Sequence, residues 1–144
     1  MERWQDKALE LFPDVPKLSD VLGSAAPGPL GVCNELYLAL IDSYVTKPFN
    51  DDRIGRIYDF AAWCFRQPQT HDASTDLSNA VAVGLIENLP LDQRVASDLY
   101  RWVSTETFEG CERLFRYHLS EEEYHKFLAD FLNKKKQFSG SPRL

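Results

Sequence analysis

The stretch Asn79-Ala80-Val81-Ala82-Val83-Gly84-Leu85-Ile86-Glu87-Asn88-Leu89 is the most continuously apolar part of the chain. From Ala80 to Ile86 every residue is apolar or glycine, which marks the centre of the core. Such a run is a buried strand or a buried helix, and periodicity alone does not decide between them. Val81, Val83 and Ile86 favour a strand; Ala80, Ala82 and Leu85 favour a helix. The flanks break the tie. Ser74-Thr75-Asp76 supplies helix-capping side chains and first-turn acid, and Pro90 ends the segment. The span of about fifteen residues exceeds an ordinary strand of roughly five or six. On a helical projection Asp76, Asn79 and Glu87 gather on one strip, with Leu77, Val81, Gly84 and Leu85 opposite. The sequence therefore predicts a helix buried over most of its circumference. Gly84 inside it costs about 1 kcal/mol relative to alanine, and close approach of a neighbouring helix is the expected offset.

The 144 residues suffice for one domain with a real core. A hydrophobic content of 44% and 12% aromatic residues indicate a folded chain, not a disordered one. No run approaches the roughly eighteen apolar residues of a membrane span, and the opening Met-Glu-Arg-Trp-Gln-Asp lacks the order of a secretory signal. Cys33, Cys64 and Cys111 are odd in number and far apart, as buried thiols of a reducing, cytoplasmic setting would be. The net charge of −6 opposes nucleic-acid binding. Its distribution is uneven. Residues 1–100 hold eight Lys/Arg against fifteen Asp/Glu, and residues 101–144 hold eight against seven. An acidic body suits a basic partner.

Outward from the centre, helical spacing recurs. Trp4, Ala8, Leu11 and Phe12 mark a first helix within residues 2–12, ended by Pro13. A Gly/Pro-rich connector completes residues 1–31, with Pro16, Gly23, Pro27, Pro29 and Gly31 and one short helical piece around Ser19 to Leu22. It lacks the glycine spacing of a phosphate cradle. Residues 32–46 are apolar nearly all round, except for Glu35 and Asp42 on one strip. Asn50 caps the next helix, where Asp51 and Asp52 face the positive end of the dipole; its core stripe is Ile54, Ile57, Tyr58, Ala61, Cys64 and Phe65. Beyond Pro90, Leu91, Val95, Leu99 and Trp102 form a stripe. A cap at Ser104 or Thr105 opens a helix bearing Phe108, Cys111, Leu114, Phe115 and His118. Ser120 with Glu123 reads as a capping box before Tyr124, Phe127, Leu128, Phe131 and Leu132. Glu122 with Lys126, and Asp130 with Lys134, are favourable i,i+4 pairs. Residues 139–144 are expected to fray. The whole reads as an all-α, irregular antiparallel bundle of six to seven helices in a single domain, 1–144. Pro48, Pro68 and Pro90 fall at intervals suited to a HEAT-like stack of helix pairs, although no side-chain pattern repeats.

Chemistry-bearing groups are few. His118, Glu122 and His125 look like a metal cluster, but the capping box splits them between two helices, so no metal or cofactor is expected. Glu35 and Asp42 are seven residues apart, roughly 10 Å along a helix, and read as the solvent-facing edge of that helix or as the acids of a small inter-helix enzyme site. No nucleophile elbow or adjacent Cys–His pair suggests a triad. Lys134-Lys135-Lys136 reads as a solvated helix end. Trp63 is the strongest surface feature. It projects opposite the core stripe and shares its face with Asp52, Arg56 and Asp59, either as a binding hot spot or as a second core layer under a neighbouring helix.

The segments Arg56-Ile57-Tyr58-Asp59-Phe60-Ala61-Ala62-Trp63-Cys64 and Asn79 to Pro90 resemble a group of small bacterial helical proteins of unknown function. Members of such groups are sometimes encoded beside polymorphic toxins and are suspected immunity proteins. The resemblance spans residues 30 to 120 and implies a bacterial cytoplasmic setting. The leading expectation is a non-enzymatic module that binds and occludes a basic protein partner, with Asp51, Asp52 and Asp59 steering it and Trp63 anchoring it. A small enzyme acting through Glu35 and Asp42 is the alternative. A structural or regulatory subunit, recognisable by self-association, is a third reading.

Overall fold

A computed structural model describes residues 3–23, 28–72 and 76–144. Within them the protein is all-helical, with no strand. Nine α-helices are described: α1 (Trp4–Leu11), α2 (Pro16–Leu22), α3 (Pro29–Ser43), α4 (Asp51–Phe65), α5 (Leu77–Gly84), α6 (Gln93–Asp98), α7 (Thr105–Gly110), α8 (Glu112–Arg116) and α9 (Glu121–Gln137). Two 3₁₀ segments, Ile86–Leu91 and Leu99–Arg101, join them. The chain is an irregular helical bundle, and none of its described helices is long and apolar enough to cross a membrane.

Side-chain chemistry explains the boundaries. Pro16 and Pro29 each sit in the first turn of their helices, where the missing N–H costs nothing. Pro16 thus opens α2 and does not lie in an irregular connector; Pro27 lies outside the described residues. Asn50 accepts a hydrogen bond from the Arg53 amide at 3.1 Å, and Ser104 accepts one from the Thr107 amide at 3.0 Å. At Ser120 both halves of the capping box are made.

The central apolar run departs from the expected continuous helix. Asp76 caps α5 by accepting from the Asn79 amide at 3.1 Å; Ser74 and Thr75 lie outside the described residues. The α-helix then stops at Gly84. Leu85 leaves helical geometry (φ −121°, ψ −63°), and Ile86–Leu91 winds more tightly with Pro90 inside it. Asn88 donates its side-chain amide to the Gly84 and Val83 carbonyls, which satisfies part of the broken end. A similar break at Cys111 divides the helix expected beyond Ser104 into α7 and α8.

Gly84 shows why the run can be so apolar. A Cβ built there would lie 2.7 Å from the Cys33 Cβ, 3.2 Å from Leu30 and 3.3 Å from the Asn34 side chain. The backbone of α5 is pressed directly onto α3, as the glycine implied. Helices α3, α4 and α5 pack mutually, α1 and α2 cover α4 and α3, and α6 to α9 assemble beyond the 3₁₀ turn. There Phe108 stacks on Phe131 at 4.1 Å and meets Phe115 and Phe127 at 4.9 and 5.0 Å. The buried apolar residues form one contiguous cluster from Ala8 to Phe131.

Candidate functional site

Helix α4 carries the residues that the sequence singled out, and each of them is engaged within the chain. Asp51 receives both terminal nitrogens of Arg101 at 3.0 and 3.1 Å. Asp52 accepts from Arg56 at 3.0 Å. Arg56 also donates to the Leu11 carbonyl at 2.6 Å and to both Asp14 oxygens at 2.7 and 2.9 Å. That fork ties the α1–α2 corner to α4 and holds the Asp14 carboxyl below its ordinary range. Asp59 accepts from Arg143 at 2.8 Å. Trp63 is half-buried and stacked on Phe60 with centroids 6.0 Å apart. Trp63 thus packs in part against the core, and the three acids pair with arginines of this chain as well as supplying surface charge.

The adjacent face is more open. A groove of about 400 Å³ runs between the start of α2, the outer side of α3 and the first turn of α4. Val15, Pro16, Leu38 and Ala39 supply its apolar surface, and Leu38 is 53% exposed. Asp14, Glu35 and Asp42 supply carboxylates, with Lys17 and Arg53 among them. The seven-residue spacing of Glu35 and Asp42 does bring both to one strip. Arg53 holds Asp42 at 2.7 Å and donates its Nε to the Ser43 hydroxyl at 2.7 Å. Glu35, half-buried, has no ion pair among the described residues. No histidine or cysteine lines the groove.

The histidines do not converge. His118 lies 3.4 Å from Glu87 and His125 lies 3.0 Å from Glu121, while Glu122 pairs with Lys126 at 3.3 Å. Among the described residues no group of three or more His, Cys, Asp or Glu is placed to hold a metal ion. All three cysteines are buried, and burial pushes the Cys33 thiol up to about 12. Lys134 and Lys135 correct the expected solvated helix end. Lys134 donates to the Ser97 carbonyl, and Lys135 donates to those of Tyr100 and Val103 at 3.0 and 2.9 Å. They cap the end of α6 and the turn after it; Lys136 alone of the three is exposed.

Sequence reasoning missed a polar hub at Asp98. Its carboxylate accepts from the Tyr44 hydroxyl at 2.6 Å, the Trp102 indole at 2.9 Å, and Arg101 at 2.6 and 2.7 Å. Asp98 is 9% exposed, and these donors offset the desolvation of its charge. Burial first, then the neighbouring Tyr58 and Asp98, raises the Tyr44 hydroxyl above its ordinary range. The hub ties the end of α3, the start of α4 and the end of α6. A signal was present: Asp98, Arg101 and Trp102 fall at i, i+3 and i+4, which share a helical face. Compared with known protein families, curated proteins and solved structures, the chain has no match.

Proposed function

We propose that the protein is a binding module that holds and occludes a basic protein partner, in the manner of an immunity-type inhibitor, through the groove between α2, α3 and α4. One observation carries the reading: the 53% exposed Leu38 stands beside the unpaired Glu35 carboxylate in the same groove. An apolar side chain next to a free acid suits the aliphatic stem and charged head of a lysine or arginine. Asp52 and Asp42, with side chains 84% and 70% exposed, extend the acidic rim and would speed association. The chain's net charge of −6 favours a basic protein over nucleic acid. The bacterial, cytoplasmic setting belongs to this reading through the resemblance of residues 56–64 and 79–90.

The test is crosslinking from a photoreactive residue at position 38, with parallel retention on Leu38→Asp and Glu35→Lys variants. The reading expects one basic protein crosslinked at position 38. Either variant should lower its retention roughly tenfold, about 1.4 kcal/mol, and salt should weaken it further. A partner retained equally by both variants overturns the assignment. The enzyme reading keeps one support, the placement of Glu35 and Asp42 in one groove. The isosteric Glu35→Gln separates the two: it would abolish an acid–base activity, while a binding surface would lose only part of its attraction.

A further inference from the structure

The C-terminal residues, expected to fray, run back over the bundle instead. Phe138 closes against Tyr100 edge-on at 5.4 Å. Gly140 lies so close over the Phe138 ring that a Cβ would come within 2.4 Å of it. Residues 139–142 are exposed and span the gap without helical structure. Pro142 restricts Ser141 to extended conformations, and the chain then docks at its last two residues. The Arg143 and Leu144 amides donate to the Trp102 carbonyl at 2.8 and 2.9 Å, and the Ser104 hydroxyl donates to the Leu144 oxygen at 3.3 Å. The Arg143 guanidinium reaches Asp59 at 2.8 Å. Gly55 on α4 makes room: a Cβ there would lie 3.3 Å from the Trp102 ring and 3.7 Å from the Arg143 guanidinium. Leu144 packs against the core and, with Arg143, lines one side of a cleft of about 430 Å³ whose other side includes Phe65, Arg66, Thr107 and Cys111.

We propose that the surface between α4 and α7 formed by Asp59, the Trp102 carbonyl and Ser104 is a recognition site for an extended peptide segment carrying an arginine followed by an aliphatic residue, and that Arg143–Leu144 is its ligand in cis. A carboxylate for the guanidinium, a backbone carbonyl and hydroxyl for the peptide, and an apolar slot for the next side chain are the parts of a short-peptide site. The anchor is reversible in kind. The Arg143–Asp59 pair is solvent-exposed on both sides, with side chains 52% and 39% exposed, and such pairs hold weakly. The exposed linker lets the tail leave without unfolding the bundle. This surface is separate from the Leu38 groove, so each can fail without the other.

The test uses the full chain with Arg143→Ala and Leu144→Ala together, and fluorescence anisotropy of a labelled Ser-Gly-Ser-Pro-Arg-Leu peptide. A tethered tail competes at an effective concentration in roughly the millimolar range. Weakening it should therefore tighten peptide binding at least about tenfold over wild type. Adding Asp59→Asn to the double variant, or changing the peptide arginine to alanine, should abolish the gain. Equal binding by wild type and the double variant, no binding by either, or indifference to Asp59→Asn overturns the proposal. If the double variant loses helical circular dichroism, Arg143→Ala alone makes the same comparison while keeping the Leu144 anchor.

Discussion

Two joints hold this bundle together, and they work on opposite physics. At the first, α3 lies on α5 through a mainly apolar contact, with Asn34 its one polar neighbour at Gly84. Gly84 brings the backbones together, and Cys33 and Leu30 of α3 close against it. At the second, the ends of α3 and α6 and the start of α4 meet around one charge, Asp98, with Tyr44, Arg101 and Trp102 donating to it. The dry joint depends on volume and degrades by increments. The polar joint depends on every donor being present, because each loss leaves a buried group without its partner. Stability and specificity are thus divided: packing supplies most of the first, while the hub fixes which helix ends meet.

The sharpest way to break the comparison is Asp98→Ala. It strands the Tyr44 hydroxyl, the Trp102 indole and part of Arg101, whose remaining carboxylate partner is the exposed Asp51. Removing one partner from a buried charged network costs about 3–5 kcal/mol. Urea denaturation followed by circular dichroism should show that loss at unchanged m-value. A cost under about 1 kcal/mol, the scale of an exposed ion pair, would mean that the joint behaves as a surface pair. Tyr44→Phe comes next. It removes one hydrogen bond to a charged acceptor, worth about 1.5–3 kcal/mol, and leaves Arg101 and Trp102 on the carboxylate.

At the dry joint the matching change is Gly84→Ala. Alanine would ordinarily stabilise a helix by about 1 kcal/mol over glycine. Here its Cβ would fall 2.7 Å from that of Cys33, and a backbone-borne carbon cannot swing away. The clash should outweigh the propensity gain and leave a net loss of about 1–3 kcal/mol. The double change Gly84→Ala with Cys33→Gly removes the opposing carbon. Coupling between the two substitutions, read from the full double-mutant cycle, would place the cost at that contact.

How much of this was legible in the sequence follows the same division. The dry joint was readable: an apolar run with a glycine inside it implies close packing, and Gly84 on Cys33 is that packing. The caps at Asn50, Ser104 and Ser120 were readable because their partners lie three residues away. The break at Leu85 was not, because Val81 to Leu89 satisfies a helical projection on either side of it. The hub was legible only in its local half. Asp98, Arg101 and Trp102 share a face, but nothing local announces Tyr44, 54 residues away. At the candidate site the acids of α4 were found, while their partners Arg101 and Arg143 come from distant segments. Composition gives the charge of a face, and tertiary structure decides which of those charges is free.

The smallest effect tests the comparison most finely. Tyr58 is fully buried, stacked on Trp102 at 5.9 Å, and its hydroxyl has no hydrogen-bond partner among the described residues. It sits beside the polar joint but does not take part in it. Tyr58→Phe keeps the ring and removes only the orphan oxygen, so near neutral pH the change should be neutral or stabilising by up to about 1 kcal/mol. The same substitution at Tyr44 should have the opposite sign. Alkaline titration adds a second readout. Burial, and then the Asp98 charge, raises the Tyr58 pKa above its ordinary 10.0, so the folded state keeps a proton that the unfolded state gives up. The contribution is intact below pH 10 and is lost as pH rises through the raised value. Tyr58→Phe removes that loss, and its stability advantage over wild type should widen above pH 10. A Tyr58→Phe variant destabilised as much as Tyr44→Phe would show that the hydroxyl has a partner in solution, and the polar joint would then extend one ring deeper into α4.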